Sequence, residues 1–297
     1  NYIDTPLYNG FHFRFPILSF LLQNTNPLFA LYLLPLSIVI QSLHKTLPCP
    51  TQTAVLHIQG NIANRKRLRQ ALDMVQTSSP SYIFLSAIDA CCDWLQKRGK
   101  LAFDDYVKKL EWFYKQSEYW KNIILFKQYD DCRDKGKLIL QLPQMQMTGI
   151  ELNDILMKRY HLILEMGYLS YSIAMTSPAD TQKGFHMLAH AITQIDNDIC
   201  NMKSKTILPP IKSTLPIIKC LPREAFFAQK KQIAFLESTG SVSGEFVIPY
   251  PPGIPIIAPG ELITEQHIKQ INMLKKANIS FVGCYDNTLN HIQVLKG

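Results

Sequence analysis

The 297 residues are 47% hydrophobic and 18% charged, which excludes a disordered chain too poor in apolar side chains to offset its conformational entropy. The net charge of +8 is mild for this length, and seven cysteines without a CxxC spacing argue against a disulfide framework or a zinc site and for reduced thiols in a cytosolic protein. The length allows two modest domains or one large one.

The opening residues show no basic region of a secretory signal. Residues 27–40 are almost uncharged. They fall short of the roughly 20 residues that a spanning helix needs, and Pro35 interrupts them, so membrane association is the weakest reading. The second half of this run, residues 37–40, reads as a buried strand. It leads into Ser42-Leu43-His44-Lys45-Thr46, a short polar and cationic loop that presents a lysine. A partly desolvated lysine amine loses its proton easily and can bond an aldehyde cofactor covalently, although most lysines are solvated surface charges.

Residues 53–58 read as a second strand and 62–76 as a helix. Leu68, Ala71, Leu72 and Val75 fall on its inner side, and Arg65, Lys66, Arg67 and Arg69 on a solvated face. Without aromatic or glycine interleaving, that basic cluster does not make a nucleic-acid surface. A helix over 82–98 carries Phe84, Ala87, Ile88, Cys91 and Leu95 on one stripe, with Gly99 suited to the left-handed cap beyond its end. A further helix is predicted over 103–119, and a strand over 137–142.

Thr148-x-x-Glu151 is a capping box that opens a helix expected to end near Gly167. A strand follows over 168–175 and an amphipathic helix over 180–195. The alternation of strands and helices implies an α/β architecture. From Leu208 prolines cluster. Pro249-Tyr250-Pro251-Pro252-Gly253 must be an extended, rigid segment, because proline lacks an amide donor and restricts the residue before it. A last helix begins after Thr264, and Ser280-Phe281-Val282 reads as a closing strand.

Several stretches together resemble the Orn/Lys/Arg decarboxylase family of bacterial type. They are SLHKTL with TQTAVLH, QTSSPSYIFLSAIDA from Gln76, LPREAFFA from Leu221, GEFVIPYPPGIPIIAPGE from Gly244, and the tail NISFVGCYDNTLNHIQV from Asn278. The resemblance covers the chain from about Gly10 onward. It implies an incomplete large domain of the PLP-dependent transferase type (aspartate aminotransferase-like, fold type I) with a smaller α/β C-terminal lobe. The implied divisions are 1–120, the remainder of the cofactor-binding domain; 121–205, a connecting domain; and 206–297, the C-terminal lobe. Residues 17–36 look like an apolar insertion.

The function that the resemblance implies is a lyase reaction of polyamine biosynthesis. It is decarboxylation of arginine, lysine or ornithine with pyridoxal 5'-phosphate, in a cytoplasmic homodimer. Lys45 matches the family's cofactor lysine, and Ser42 and His44 match residues beside the phosphate. Gly10-Phe11-His12-Phe13 matches only the end of the family's upstream motif, so His12 is a candidate contact. The position of the ring-nitrogen aspartate falls on Pro6, leaving Asp4, two residues earlier, as the substitute carboxylate. The glycine-serine phosphate cup and the stacking histidine have no counterpart in this sequence. Either a complementing N-terminal half or second copy completes the site, or the chain is a catalytically decayed paralogue that binds and regulates a true decarboxylase.

Other groups have two readings each. Arg223 can clamp a carboxylate or pair on the surface, and Glu245 and Glu261 can face a cationic substrate end or stay solvated. His186 and His190, at i and i+4, have the spacing for a shared metal but no third ligand pattern, so no metal is expected. Cys91 sits on an apolar stripe and reads as core.

Overall fold

A computed structural model describes residues 38–58, 60–127, 133–200 and 215–296. The chain divides into two compact units. The first holds residues 1–119, 127–138 and 175–190, the second 120–126, 139–174 and 191–297.

The first unit begins with a hairpin of β1 (Ile38–Ser42) and β2 (Ala54–Ile58), antiparallel in the register Ile38↔Ile58 to Ser42↔Ala54. The predicted buried strand is instead half open to water, with Ile38 at 43% and Ile40 at 75% exposure. A two-stranded ribbon can cover only one face, and here Val39 and Gln41 of β1 are half-buried and His57 of β2 is buried, while Ile38 and Ile40 face outward. Helix α1 (Arg65–Val75) starts at Asn64, whose side chain accepts from the Arg67 amide at 3.0 Å. None of its residues is fully buried; of the apolar stripe expected to face a core, Leu68 and Leu72 are half-buried and Ala71 and Val75 exposed.

Helix α2 (Tyr82–Gln116) is one continuous element of 35 residues where the sequence predicts two helices. Gly99 lies buried inside it rather than beyond an end. A mid-helix glycine costs only about 1 kcal/mol relative to alanine, and the apolar stripe resumes in phase after it. Cys91, Cys92 and Leu95 before the glycine, and Tyr106, Leu110 and Phe113 after it, are all buried. Phe113 and Tyr106 both meet Phe185 edge to face.

In the remainder of the chain a four-stranded sheet has the order β3 (Ile124–Leu125), β4 (Lys137–Gln141), β6 (Tyr171–Met175), β5 (Met166–Gly167). Helix α3 (Gly149–Tyr160) opens on the predicted capping box, with Thr148 and Glu151 bonded reciprocally. It stops at His161, which takes the left-handed conformation at φ 55°, well before Gly167. Gly167 instead belongs to β5. A side chain there would collide with the Gly149 carbonyl, and one at Gly149 with the Tyr171 carbonyl, so the two glycines let the start of α3 rest directly on strand backbone. Helix α4 (Gln182–Ile199) follows.

The C-terminal region holds α5 (Pro222–Phe227), β7 (Lys230–Ala234), β8 (Ile248–Tyr250), α6 (Glu265–Lys276), β9 (Ser280–Val282) and β10 (His291–Leu295). β7 pairs with β10 and β8 with β9, both antiparallel. β9 is therefore not the closing strand; β10 is. The proline-rich segment is extended through β8 and then turns at Gly253, which has φ +82°. Phe235, Val247, Ile257, Ile271, Leu274, Phe281, Ile292 and Val294 form the core of this region.

Candidate functional site

The lysine turn is built by what it buries. Leu43–Lys45 forms one turn of 3-10 helix at the end of β1. Leu43 is fully buried and Leu47 nearly so, and both enter a cluster with Cys91, Cys92 and Leu95 of α2, flanked by Cys49, Val55, Ile88, Trp94 and Phe103. Burying each leucine contributes about 1.5–3 kcal/mol, so the turn is fixed to α2 by its apolar residues. The polar residues take the other side. Ser42 and Lys45 are exposed and His44 is half-buried. The partial desolvation expected of Lys45 is thus not provided by the described residues, because the leucines occupy the covered side.

Backbone hydrogen bonds close the turn. The Leu47 amide donates to the Leu43 carbonyl at 2.9 Å, and the Leu43 amide to the Thr53 carbonyl at 3.1 Å. His44 Nδ1 lies 2.8 Å from the same Thr53 carbonyl oxygen. A carbonyl only accepts, so Nδ1 carries the hydrogen and Nε2 is left to meet another group. Thr53 is itself held, buried, by its hydroxyl donating to the Pro50 carbonyl at 2.8 Å. The preceding Gln52 sits at φ 133°. That conformation costs a non-glycine residue about 1–3 kcal/mol, and it is the bend that aims the Thr53 carbonyl at the turn. Next to it, buried His57 donates through Nε2 to Gln41 Oε1 at 3.2 Å, and burial lowers its pKa below the ordinary 6.5.

The structure thus brings Ser42, His44 and Lys45 together at one end of the β1–β2 hairpin. Asp4 and His12 lie outside the described residues.

The remaining candidates resolve toward scaffolding. Glu245 accepts from the Tyr285 amide at 2.8 Å and the Gln293 amide at 2.9 Å, so each carboxylate oxygen fastens backbone. Glu261 accepts from the Ala258 amide at 2.9 Å. Glu224 caps its own short helix through the Leu221 amide, while Arg223 is exposed. His186 bonds Gln182 at 2.8 Å and lies tilted at 47° against Trp112, with ring centroids 4.3 Å apart. Among the described residues no cluster of three His, Cys, Asp or Glu side chains can hold a metal ion. No helix among them is long and apolar enough to cross a membrane.

Two buried polar groups escaped the sequence reading. Asp196 on α4 accepts from three successive backbone amides, Lys121 at 2.9 Å and Asn122 and Ile123 at 2.7 Å each. Its signal was available, since Ile192, Ile195, Asp196 and Ile199 follow the i, i+3, i+4, i+7 template of a core-facing stripe. Lys109 on α2 is buried and satisfied by Asp105 at 2.7 Å and the Asp180 carbonyl at 2.8 Å.

The arrangement is that of an α/β fold seen in solved lysine decarboxylases. The structure of Escherichia coli constitutive lysine decarboxylase is similar with a TM-score of 0.70 at 19% identity, over 87% of this chain and 49% of that one. The profile of the Orn/Lys/Arg decarboxylase major domain matches residues 32–151, which include the lysine turn, and that of the family's C-terminal domain matches residues 211–288. The chain belongs to the Orn/Lys/Arg decarboxylase family. An arginine decarboxylase of Bacillus subtilis is 29% identical over 270 residues, 87% of this chain and 54% of the relative. One of Halalkalibacterium halodurans is 27% identical over 269 residues, 86% of this chain and 53% of the relative. The chain spans about half the length of the curated relatives it matches.

Proposed function

We propose that this chain carries the lysine-bearing part of a pyridoxal-phosphate-dependent decarboxylase of arginine, lysine or ornithine. The observation that supports it is the turn itself. An amine, an imidazole with one nitrogen left open, and a hydroxyl stand within four residues of one turn, in the stretch that the family's major-domain profile matches. They fit the lysine end of the cofactor. Lys45 carries the amine whose bond to the aldehyde carbon would anchor the group. His44, oriented by the Thr53 carbonyl, would donate from Nε2 to a phosphate oxygen as the imidazolium, in which both ring nitrogens carry hydrogen, and Ser42 has a hydroxyl to donate to the same dianion. The cofactor supplies the electron sink that lets the substrate lose carbon dioxide.

Lys45 is open to water in this chain, and decarboxylation chemistry works in a site from which water is excluded. A second polypeptide surface therefore belongs over the turn, either another copy in a homodimer or a complementing N-terminal half. We place the reaction in the cytoplasm, in line with the reduced thiols, and keep the divisions 1–120, 121–205 and 206–297 as the working domain plan. The same exposure favours one second reading, a decayed paralogue that binds a true decarboxylase without turning over substrate.

Incubation with pyridoxal phosphate followed by borohydride separates these. The expected result is a cofactor-mass adduct on the peptide containing Lys45, lost in Lys45→Ala. Release of carbon dioxide from arginine, lysine or ornithine, alone or with an N-terminal half supplied, supports the enzyme. An adduct without turnover in either setting supports the paralogue. No adduct on Lys45 in any setting overturns the cofactor assignment.

A further inference from the structure

We propose that Cys49 and Cys91 are a modification site, a thiol pair that oxidises to a disulfide and tethers the loop after the lysine turn to α2. Cys49 lies half-buried between Pro48 and Pro50, outside regular structure. Cys91 is 2% exposed on the buried stripe of α2. Cys49 packs on the cluster that contains Cys91 and Cys92. Its sulfur donates to the Ala87 carbonyl oxygen at 3.5 Å. Ala87 lies one turn before Cys91 on the same side of α2, so this contact sets the Cys49 sulfur over the part of the helix that carries Cys91.

A disulfide asks that the sulfurs close to about 2 Å, with Cβ atoms about 3.8 Å apart. The movement falls on the Cys49 loop, since Cys91 is fixed in a helix by its buried neighbours. Hydrogen peroxide is the oxidant. The Cys49 thiolate attacks one peroxide oxygen, the O–O bond breaks, and hydroxide leaves, giving a sulfenic acid. The Cys91 thiolate then attacks the Cys49 sulfur, the S–O bond breaks, and the oxygen departs as water with the thiol's proton. Together the two sulfurs give up two electrons and one peroxide becomes two waters. Burial pushes the Cys91 thiol up to about 12, so this second step is slow at neutral pH and quickens as pH rises. Neither step requires Lys45 to bind a cofactor, so the pair stands apart from the proposed enzymatic role.

Reduced full-length chain, treated with hydrogen peroxide at neutral and at mildly alkaline pH, then alkylated, digested and mapped by mass, tests this. The expected product joins the peptides of Cys49 and Cys91, lighter by two hydrogens than their sum, and forms faster at the higher pH. The link persists in Cys92→Ser. It is absent in Cys49→Ser, where Cys91 stays open to alkylation after unfolding. Cys49 carried to sulfinic acid with Cys91 still alkylatable would overturn the proposal, as would a link from Cys49 to Cys92.

Discussion

His44 donates through Nδ1 to the carbonyl oxygen of Thr53 at 2.8 Å, across the width of the β1–β2 hairpin. The same oxygen accepts the Leu43 amide, so one buried backbone group sets both the path of the turn and the tautomer of the ring. Turn shape and phosphate contact are therefore separable by substitution. His44→Asn can keep a donor for the Thr53 carbonyl but has no second nitrogen. It should hold thermal stability close to that of the parent, whereas His44→Ala loses about 0.5–1.5 kcal/mol. Both should weaken pyridoxal phosphate binding by about tenfold or more, the scale of one hydrogen bond to a charged group. Equal affinity of parent and His44→Asn in a cofactor titration would remove His44 from the phosphate.

Leu43 is fully buried beneath Lys45, against α2. Leu43→Ala should destabilise the chain by about 2–5 kcal/mol in urea unfolding, the range for leucine truncation in a packed core. It should also lower the yield of borohydride-fixed adduct at Lys45 at temperatures where the chain is still folded, because the turn loses its anchor. An unchanged adduct yield would mean that β1–β2 alone positions the amine.

How much of this was legible follows the range of the interactions. The capping box at Thr148 and Glu151 could be read because cap and partner lie three residues apart. The end of α3 could not, because His161 takes a left-handed conformation that sequence assigns by habit to glycine. Gly99 misled in the opposite sense, since packing on both sides of it outweighs its low helix propensity. At the site, Ser42, His44 and Lys45 stood out as side chains in one short segment. The Thr53 carbonyl that orders them is a backbone atom nine residues on from His44 and leaves no mark in the residue types. The exposure of Lys45 was equally hidden, because the leucines that turn inward do so only once α2 lies beside them.

Asp196 ties three backbone amides that would otherwise be buried without acceptors. Its own backbone carbonyl also receives the Asn122 side chain at 3.0 Å. Asp196→Ala should cost about 3 kcal/mol or more, because several donors lose partners at once. Asp196→Asn, which keeps one acceptor oxygen but sets an amide group against N–H donors, should fall between the two. If Asp196→Ala unfolds at the same urea concentration as the parent, water replaces the carboxylate and the clamp contributes little.

The pH dependence of the hairpin follows from His57. Burial lowers its pKa in the folded chain below the 6.5 of the free side chain. A group with a depressed folded pKa binds fewer protons when folded than when unfolded. The hairpin's stability is therefore fully present above about pH 6.5 and declines as pH falls below it, continuing until the folded imidazole itself protonates. Gln41 sharpens the effect little, because its Oε1 accepts from Nε2 in the neutral and the charged ring alike. Amide hydrogen exchange in β1 and β2 should accelerate between neutral pH and pH 5 beyond the intrinsic trend, about as steeply as one proton allows. His57→Gln, which cannot charge, should flatten that excess while leaving the exchange of α3 amides unchanged. An excess that survives in His57→Gln would assign the pH response to another group.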